Sequence, residues 1–203
     1  MRHSENVLIM MRLLLILILM FSFQTLTKAD DIRDFQIEGM SIGDSALNYY
    51  SKEFIKSSSK YTCNNSEFTN CEMFIALMGP KGIYTGDIQL VFKKNDLNYK
   101  IYSITGTIRY INDIENCYPK QKKISLELQS LFPKAKKEEN MGPHTADKTG
   151  KSTGNNIYFL FPEKDAVYVS CYDWSKEMKY NDHLRISIRS SEYRNWVNNK
   201  AYN

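Results

Sequence analysis

The chain is short of histidine, tryptophan, proline and net charge, and each shortage narrows what it can be. Only three histidines occur in 203 residues, and His3 falls in the N-terminal segment, which leaves His144 and His183. Two imidazoles and no dense His/Cys/Asp cluster cannot assemble the usual ligand spacings of a zinc site, so no metal and no other cofactor is expected. A formal net charge of +4 lacks the strong basic excess or stripe that nucleic-acid binders carry, so nucleic acid is not expected as a partner. There are no internal repeats and no linker-like stretch.

The one long apolar run is N-terminal. Arg2 and Arg12 precede residues 13–23 (LLLILILMFSF), and a polar stretch ending in Lys28 and Ala29 follows. That order of basic, apolar and small residues is the order of a cleavable secretory signal peptide, assigned here to residues 1–29. Eleven positions are too few for a bilayer span, which takes about 20 apolar residues. No cysteine follows the run to take a lipid. Starting at Met10 or Met11 gives a tidier basic region. The membrane is therefore expected to matter only during export, and the destination to be the periplasm or the medium.

Residues 30–203 are then one domain's worth of chain. Taking Arg2, Arg12, Lys28 and Glu5 from the 27 basic and 23 acidic residues leaves 24 and 22, close to neutral. Lys120, Lys122, Lys123, Lys134, Lys136 and Lys137 form a local basic patch that reads as a solvated helix face and its exit loop.

All four cysteines, Cys63, Cys71, Cys117 and Cys171, lie in this exported part. An even count in an exported chain implies disulfides, with three connectivities open. Cys63 and Cys71 are eight apart in a loop-like stretch, so closing that ring costs little entropy. That leaves Cys117 with Cys171, joining a helix start to a strand. Reduced, buried thiols are the plainer alternative.

Residues 35–37 read as a short strand turning at Gly39. Asp44 or Ser45 can cap a helix to about residue 50, and Ser51 a short turn after it. Strands are expected over 72–78, 88–93 and 99–110, the last with a bend at Gly106. Asp113 or Asn116 can cap a helix with Pro119 in its first turn and a stripe of Ile124, Leu128, Leu131 and Phe132. Pro133 ends it. Residues 134–156 read as the longest irregular stretch, and such loops are often functional. A hairpin follows over 157–161 and 166–172. Residues 183–189 alternate cleanly, with Leu184, Ile186 and Ile188 inward and His183, Arg185, Ser187 and Arg189 outward. A short helix carries Tyr193, Trp196 and Val197. The expected fold is α+β: an antiparallel sheet of about five or six strands with helices on one face, stapled by disulfide.

Four segments carry a resemblance. Residues 35–45 (FQIEGMSIGDS), 116–118 (NCY), 144–152 (HTADKTGKS) and 171–175 (CYDWS) through 182–185 (DHLR) resemble an uncharacterised family of small exported proteins from open-ocean bacteria. The resemblance spans nearly the whole exported chain and brings no activity with it. It supports pairing Cys117 with Cys171, which sit inside the shared segments, whereas Cys63 and Cys71 lie outside them. Locally, residues 39–45 look like the strand–turn–helix opening of small envelope-assembly and inhibitor domains, without the Leu-Gly that usually ends that helix.

Gly150, Lys151 and Ser152 evoke a phosphate loop, but the position where its first glycine belongs is Thr145 and a strand follows rather than a helix. The same loop can still hold an anion through His144, Lys148, Lys151 and Ser152, with Gly142 and Gly150 admitting backbone amides. A solvated loop is the plainer alternative. Asp182 and His183, with Asp173 nearby, can move a proton or form a surface ion pair. Trp174, Trp196, Tyr172, Tyr180 and Tyr193 can line a binding face or simply cap the sheet. No catalytic set emerges from these residues. The leading expectation is a non-enzymatic exported domain that binds an envelope protein or a small anionic ligand. One alternative is a hydrolase-like enzyme using His144 or His183 with Asp147, Asp173 or Asp182; another is a structural envelope component. Two histidines meeting in one cleft beside a carboxylate would favour the enzyme.

Overall fold

Residues that alternate inward and outward along a strand give the sheet two unlike faces, and β-pairing carries each face across the molecule. The computed structural model describes residues 31–58, 73–76, 82 and 84–200. Its sheet has seven strands: β1 (Met73–Ala76), β2 (Ile88–Val91), β3 (Ser103–Arg109), β4 (Lys136–Pro143), β5 (Thr153–Leu160), β6 (Ala166–Asp173) and β7 (His183–Arg189). Their order is β1-β2-β3-β7-β6-β5-β4, and every neighbouring pair is antiparallel. The last strand thus enters the middle of the sheet and joins two hairpin-built halves.

One face holds the core. Leu90, Ile104, Ile188, Val167 and Phe159 are paired neighbours in a row across β2, β3, β7, β6 and β5, and all are fully buried. Each such side chain contributes roughly 1.5–3 kcal/mol by leaving water. The helix α2 (Cys117–Leu131) covers this face, packed on β6 and β7. Its buried line is Cys117, Gln121, Ser125 and Leu128; of the expected stripe, Leu128 and Phe132 are buried, and Ile124 and Leu131 lie at the margin of the contact. Gln121 is accommodated because its Nε2 donates to Asn155 O and Val169 O, both at 2.8 Å. Phe132 closes the helix edge-on against Phe161 and Phe35.

Cys117 and Cys171 are disulfide-bonded, with Cα atoms 6.1 Å apart, so the start of α2 is tied to β6. Cys63 and Cys71 lie outside the described residues, as do residues 1–29. The α+β class, the antiparallel sheet and the Cys117–Cys171 staple therefore stand as the sequence led us to expect.

Three local features differ from the expectation. First, residues 134–156 are mostly a hairpin rather than a loop: β4 pairs with β5 over eight residues, and only 144–152 connect them. β4 is an edge strand with largely exposed side chains, so no buried periodicity marks it; its Lys136–Glu138 and Lys137–Glu139 pairs charge the edge and discourage further pairing. Second, β3 runs through Gly106 without a bend. The glycine is there because the Tyr84 ring crosses it, and a Cβ would sit 2.5 Å from that ring. Third, the Ser45 side chain caps only a 3-10 turn (Ala46–Asn48), and the regular helix is α1 (Lys52–Ser58), where Ser51 Oγ accepts from Phe54 N. The terminal helix α3 (Ser191–Asn199) is capped by Ser190 and places Tyr193, Trp196 and Val197 against Val91 and Tyr102. Among the described residues no helix is long and apolar enough to cross a membrane.

Candidate functional site

The second face of the sheet is not a core. Register places Thr107, Arg185, Ser170, Asn156 and Asn140 in one row, and Arg109, His183, Tyr172, Gly154 and Gly142 in another. Helix α3 lies over the Val91 end of this face and reaches as far as Tyr168, whose hydroxyl accepts from Arg194 Nε at 3.0 Å. Three adjoining clefts of about 440, 410 and 150 Å³ open along the rest of it, and Tyr172 lines all three. Gly154 matters here: it faces Tyr172 across the β5–β6 ladder, and a Cβ would come within 3.3 Å of the tyrosine ring.

The largest cleft gathers His144, Tyr172, Trp174, Tyr180 and His183 around Arg109 and Arg185. The His144 ring lies 4.4 Å from Trp174 and 5.1 Å from Tyr172, and His183 lies 5.2 Å from Tyr172. Tyr180 packs edge-on to Trp174 at 4.9 Å. The indole Nε1 of Trp174 is buried with no hydrogen-bond acceptor among the described residues. Tyr193 and Trp196 belong to the separate cluster under α3, so the aromatics form two groups rather than one.

Backbone contacts fix the two imidazoles in opposite tautomers. Ala146 N–H donates to His144 Nδ1 at 3.2 Å, so neutral His144 carries its proton on Nε2. His183 Nδ1 lies 2.8 Å from Asn181 O and donates to it, which leaves its Nε2 as an acceptor. Burial holds both rings below the ordinary histidine pKa, and the Arg185 charge adds to this; the Asn181 carbonyl and Asp182 partly oppose it at His183. Near pH 7 the pair is therefore neutral, one donor beside one acceptor.

Charge on this face is one-sided. Among the described residues, Arg109 and Arg185 line the 440 Å³ cleft and Arg185 and Arg189 the 150 Å³ one, while the 410 Å³ cleft between β4 and Tyr172 has no arginine. Among the same residues the one carboxylate in these linings is Asp87, which Arg109 meets at 3.5 Å. Arg185 Nη2 is 3.5 Å from Gln89 Oε1, and Arg189 lies 4.4 Å over the Tyr168 ring.

The walls of the main cleft come from two loops, 144–152 and 174–181, and Asp147 pins them together. Its carboxylate accepts from Ser152 N and Oγ, from Thr149 N and Oγ1, and from Ser175 Oγ, at 2.6 to 2.9 Å. Those donors, Ser152 and Thr149 foremost, hold its pKa far below the ordinary carboxylate range. On the other side Asp182 Oδ1 accepts from Trp174 N at 2.7 Å, and burial raises the pKa of neighbouring Asp173.

The residues singled out from sequence thus separate. His144 and His183 meet in the cleft. Ser152 is fully buried and committed to Asp147 and to Ser175 N, Lys151 pairs with Glu177, and Lys148 is exposed at the loop tip. Asp182 holds the Trp174 backbone. Arg109, Gln89, Asn156, Tyr158 and Tyr168 were not singled out, although the outward alternation of Arg185 and Arg189 on β7 was legible. Among the described residues no group of three His, Cys, Asp or Glu side chains could hold a metal. No protein-family model, no curated protein and no solved structure matches this chain, so what the cleft binds must be read from its own chemistry.

Proposed function

We propose that this is an exported, non-enzymatic binding domain that takes an anionic ligand on the uncovered face of its sheet. The observation that carries this reading is the charge of the lining: among the described residues, three arginines against one carboxylate, set among aromatic rings. Guanidinium groups bind carboxylate and phosphate through fork-shaped pairs, and partial burial strengthens such bonds. Export to the periplasm or medium rests on the N-terminal basic–apolar–small order and on the Cys117–Cys171 bond, which persists in oxidising compartments.

The test is a melting scan against citrate, inorganic phosphate and glucuronate at low ionic strength. At least one anion raises the melting temperature of the native protein, and the rise disappears in Arg185→Gln. No rise with any anion, or a rise that survives the substitution, would overturn the reading. Mass spectrometry of protein recovered from the cell envelope tests the export half. A chain beginning at Asp30 is expected, and a retained N-terminus would contradict it.

The hydrolase reading keeps one specific support, the meeting of the two histidines in a cleft that also holds Asp87. His183 Nε2 could act as a general base on water. Several features weigh against it. Asp87 faces Arg109, a carbonyl rather than a carboxylate orients His183, and among the described residues no serine or cysteine lines that cleft. Turnover of an ester or glycoside that is abolished by His183→Asn would favour the enzyme over the binding domain.

A further inference from the structure

We infer that the ligand of this face is an acidic oligosaccharide, a chain of pyranose rings bearing carboxylates. This rests on the anion-binding reading above and narrows it.

Four features combine. The arginines supply forks for carboxylate. Neutral His144 and His183 offer one Nε2 donor and one Nε2 acceptor in the same cleft. An acceptor is of no use to a fully ionised phosphate, which presents only acceptors, whereas a hydroxyl both donates and accepts. The surrounding amides and hydroxyls of Gln89, Thr107, Asn156 and Asn181 are likewise two-way partners. The Tyr172, Trp174 and Tyr180 rings provide apolar faces for the C–H faces of a sugar. Finally, the three clefts share Tyr172 and run on from one another, from Asp87 and Arg109 to Tyr168 and Arg189, which suits a chain of rings better than one compact ion.

The chain has two tryptophans, and Trp196 is on α3, packed against Val91 and Tyr102, so the Trp196→Phe protein reports Trp174 emission alone. It is titrated with oligogalacturonate and oligoglucuronate, with a neutral galactose oligomer of equal length, and with citrate. An acidic oligosaccharide changes Trp174 emission and binds at least about tenfold tighter than either the neutral oligomer or citrate, the loss expected when one charge-assisted hydrogen bond is missing. Adding Arg185→Gln weakens it by roughly tenfold. Binding of citrate as tight as that of the acidic sugars, both dependent on Arg185, would overturn the sugar inference and leave the anion reading standing. Equal binding of the neutral oligomer would remove the role of charge and overturn both. No binding of either acidic oligomer, while citrate or phosphate still stabilises the protein, would also overturn the inference alone.

Discussion

Ile104, Ile188, Val167 and Phe159 stand side by side on four strands, and one residue along each strand stand Thr105, Ser187, Tyr168 and Tyr158. The first row is fully buried beneath α2 and its neighbours; the second belongs to the face that α3 covers only at one end. A single-residue slip in register would exchange the two sets, so the aliphatic row also fixes the aim of the polar one. The polar row needs that help. Thr105 Oγ1 and Ser187 Oγ are buried and satisfy each other at 2.8 Å, a bond that holds only in this register. The buried aliphatic contacts are thus concentrated on one face and the clefts open on the other, and the two share the same backbone.

The largest effects should come from the aliphatic face. Phe159→Ala is expected to cost about 3–5 kcal/mol by leaving a cavity in the core. Cys117→Ser removes a 54-residue closure and is expected to cost about 4 kcal/mol in the chain-entropy account. Cys63→Ser should cost much less; equal melting temperatures for the two cysteine variants would refute this ranking. Because Cys171 points into the core while Tyr172 points into the cleft, Cys117→Ser also tests how far the two faces are coupled. If the folded fraction still binds anions with unchanged affinity, the coupling is weak.

Asp147 comes next, because it joins the loops and not the core. Its folded-state pKa is depressed, so its contribution is full above the unfolded value of about 3.9 and is lost as pH falls through the folded value. Asp147→Asn should lower the melting temperature at pH 6 and flatten its decline between about pH 5 and pH 2. It should also loosen the cleft walls, lowering ligand affinity more than its stability loss alone would. A variant with the native acid profile would show that the Ser152, Thr149 and Ser175 bonds do not hold the loops.

How much of this was legible follows the same division. β7 could be read residue by residue, because Leu184, Ile186 and Ile188 alternate with polar neighbours in a strand buried on one side. α2 was visible from its apolar spacing and Pro119, although Gln121 and Ser125 in its buried line were not: the burial of Gln121 depends on Asn155 and Val169 accepting its hydrogen bonds, and Ser125 Oγ is buried with no hydrogen-bond partner among the described residues. β4 was invisible because an exposed edge strand carries charges where a period-two pattern would otherwise show. The cleft was half legible: Asp182, His183 and His144 were visible singly, but their convergence depends on β6 pairing with β7 and on Asp147 drawing two loops together. No spacing within 144–152 reports that Asp147 rather than Lys148 is the residue turned inward.

A smaller effect separates the faces by pH. Both histidines have folded-state values below the ordinary 6.5. Between the two values the unfolded chain binds more protons, so stability should fall as pH drops through about 6.5 and recover as it rises. His144→Asn with His183→Asn should flatten that slope, while Phe159→Ala should shift the curve down without changing its shape. A slope that persists without both rings would place the titrating group elsewhere.

The smallest expected change is at Arg189. Its guanidinium lies over Tyr168, a contact worth about 0.5–1 kcal/mol at a partly exposed site. Arg189→Gln should therefore barely move the melting temperature, in contrast to Ile188→Ala, one residue earlier and facing the core, expected to cost about 2–5 kcal/mol. Arg189 closes the far end of the groove that begins at Arg109, so its loss should weaken a long acidic oligomer and leave a single glucuronate untouched. If both ligands weaken equally, the clefts do not act as one extended site and Arg189 contributes only its general charge. If neither weakens while Arg185→Gln abolishes both, the recognition surface ends at Tyr172, and the Tyr158–Tyr168 end of the sheet serves packing alone.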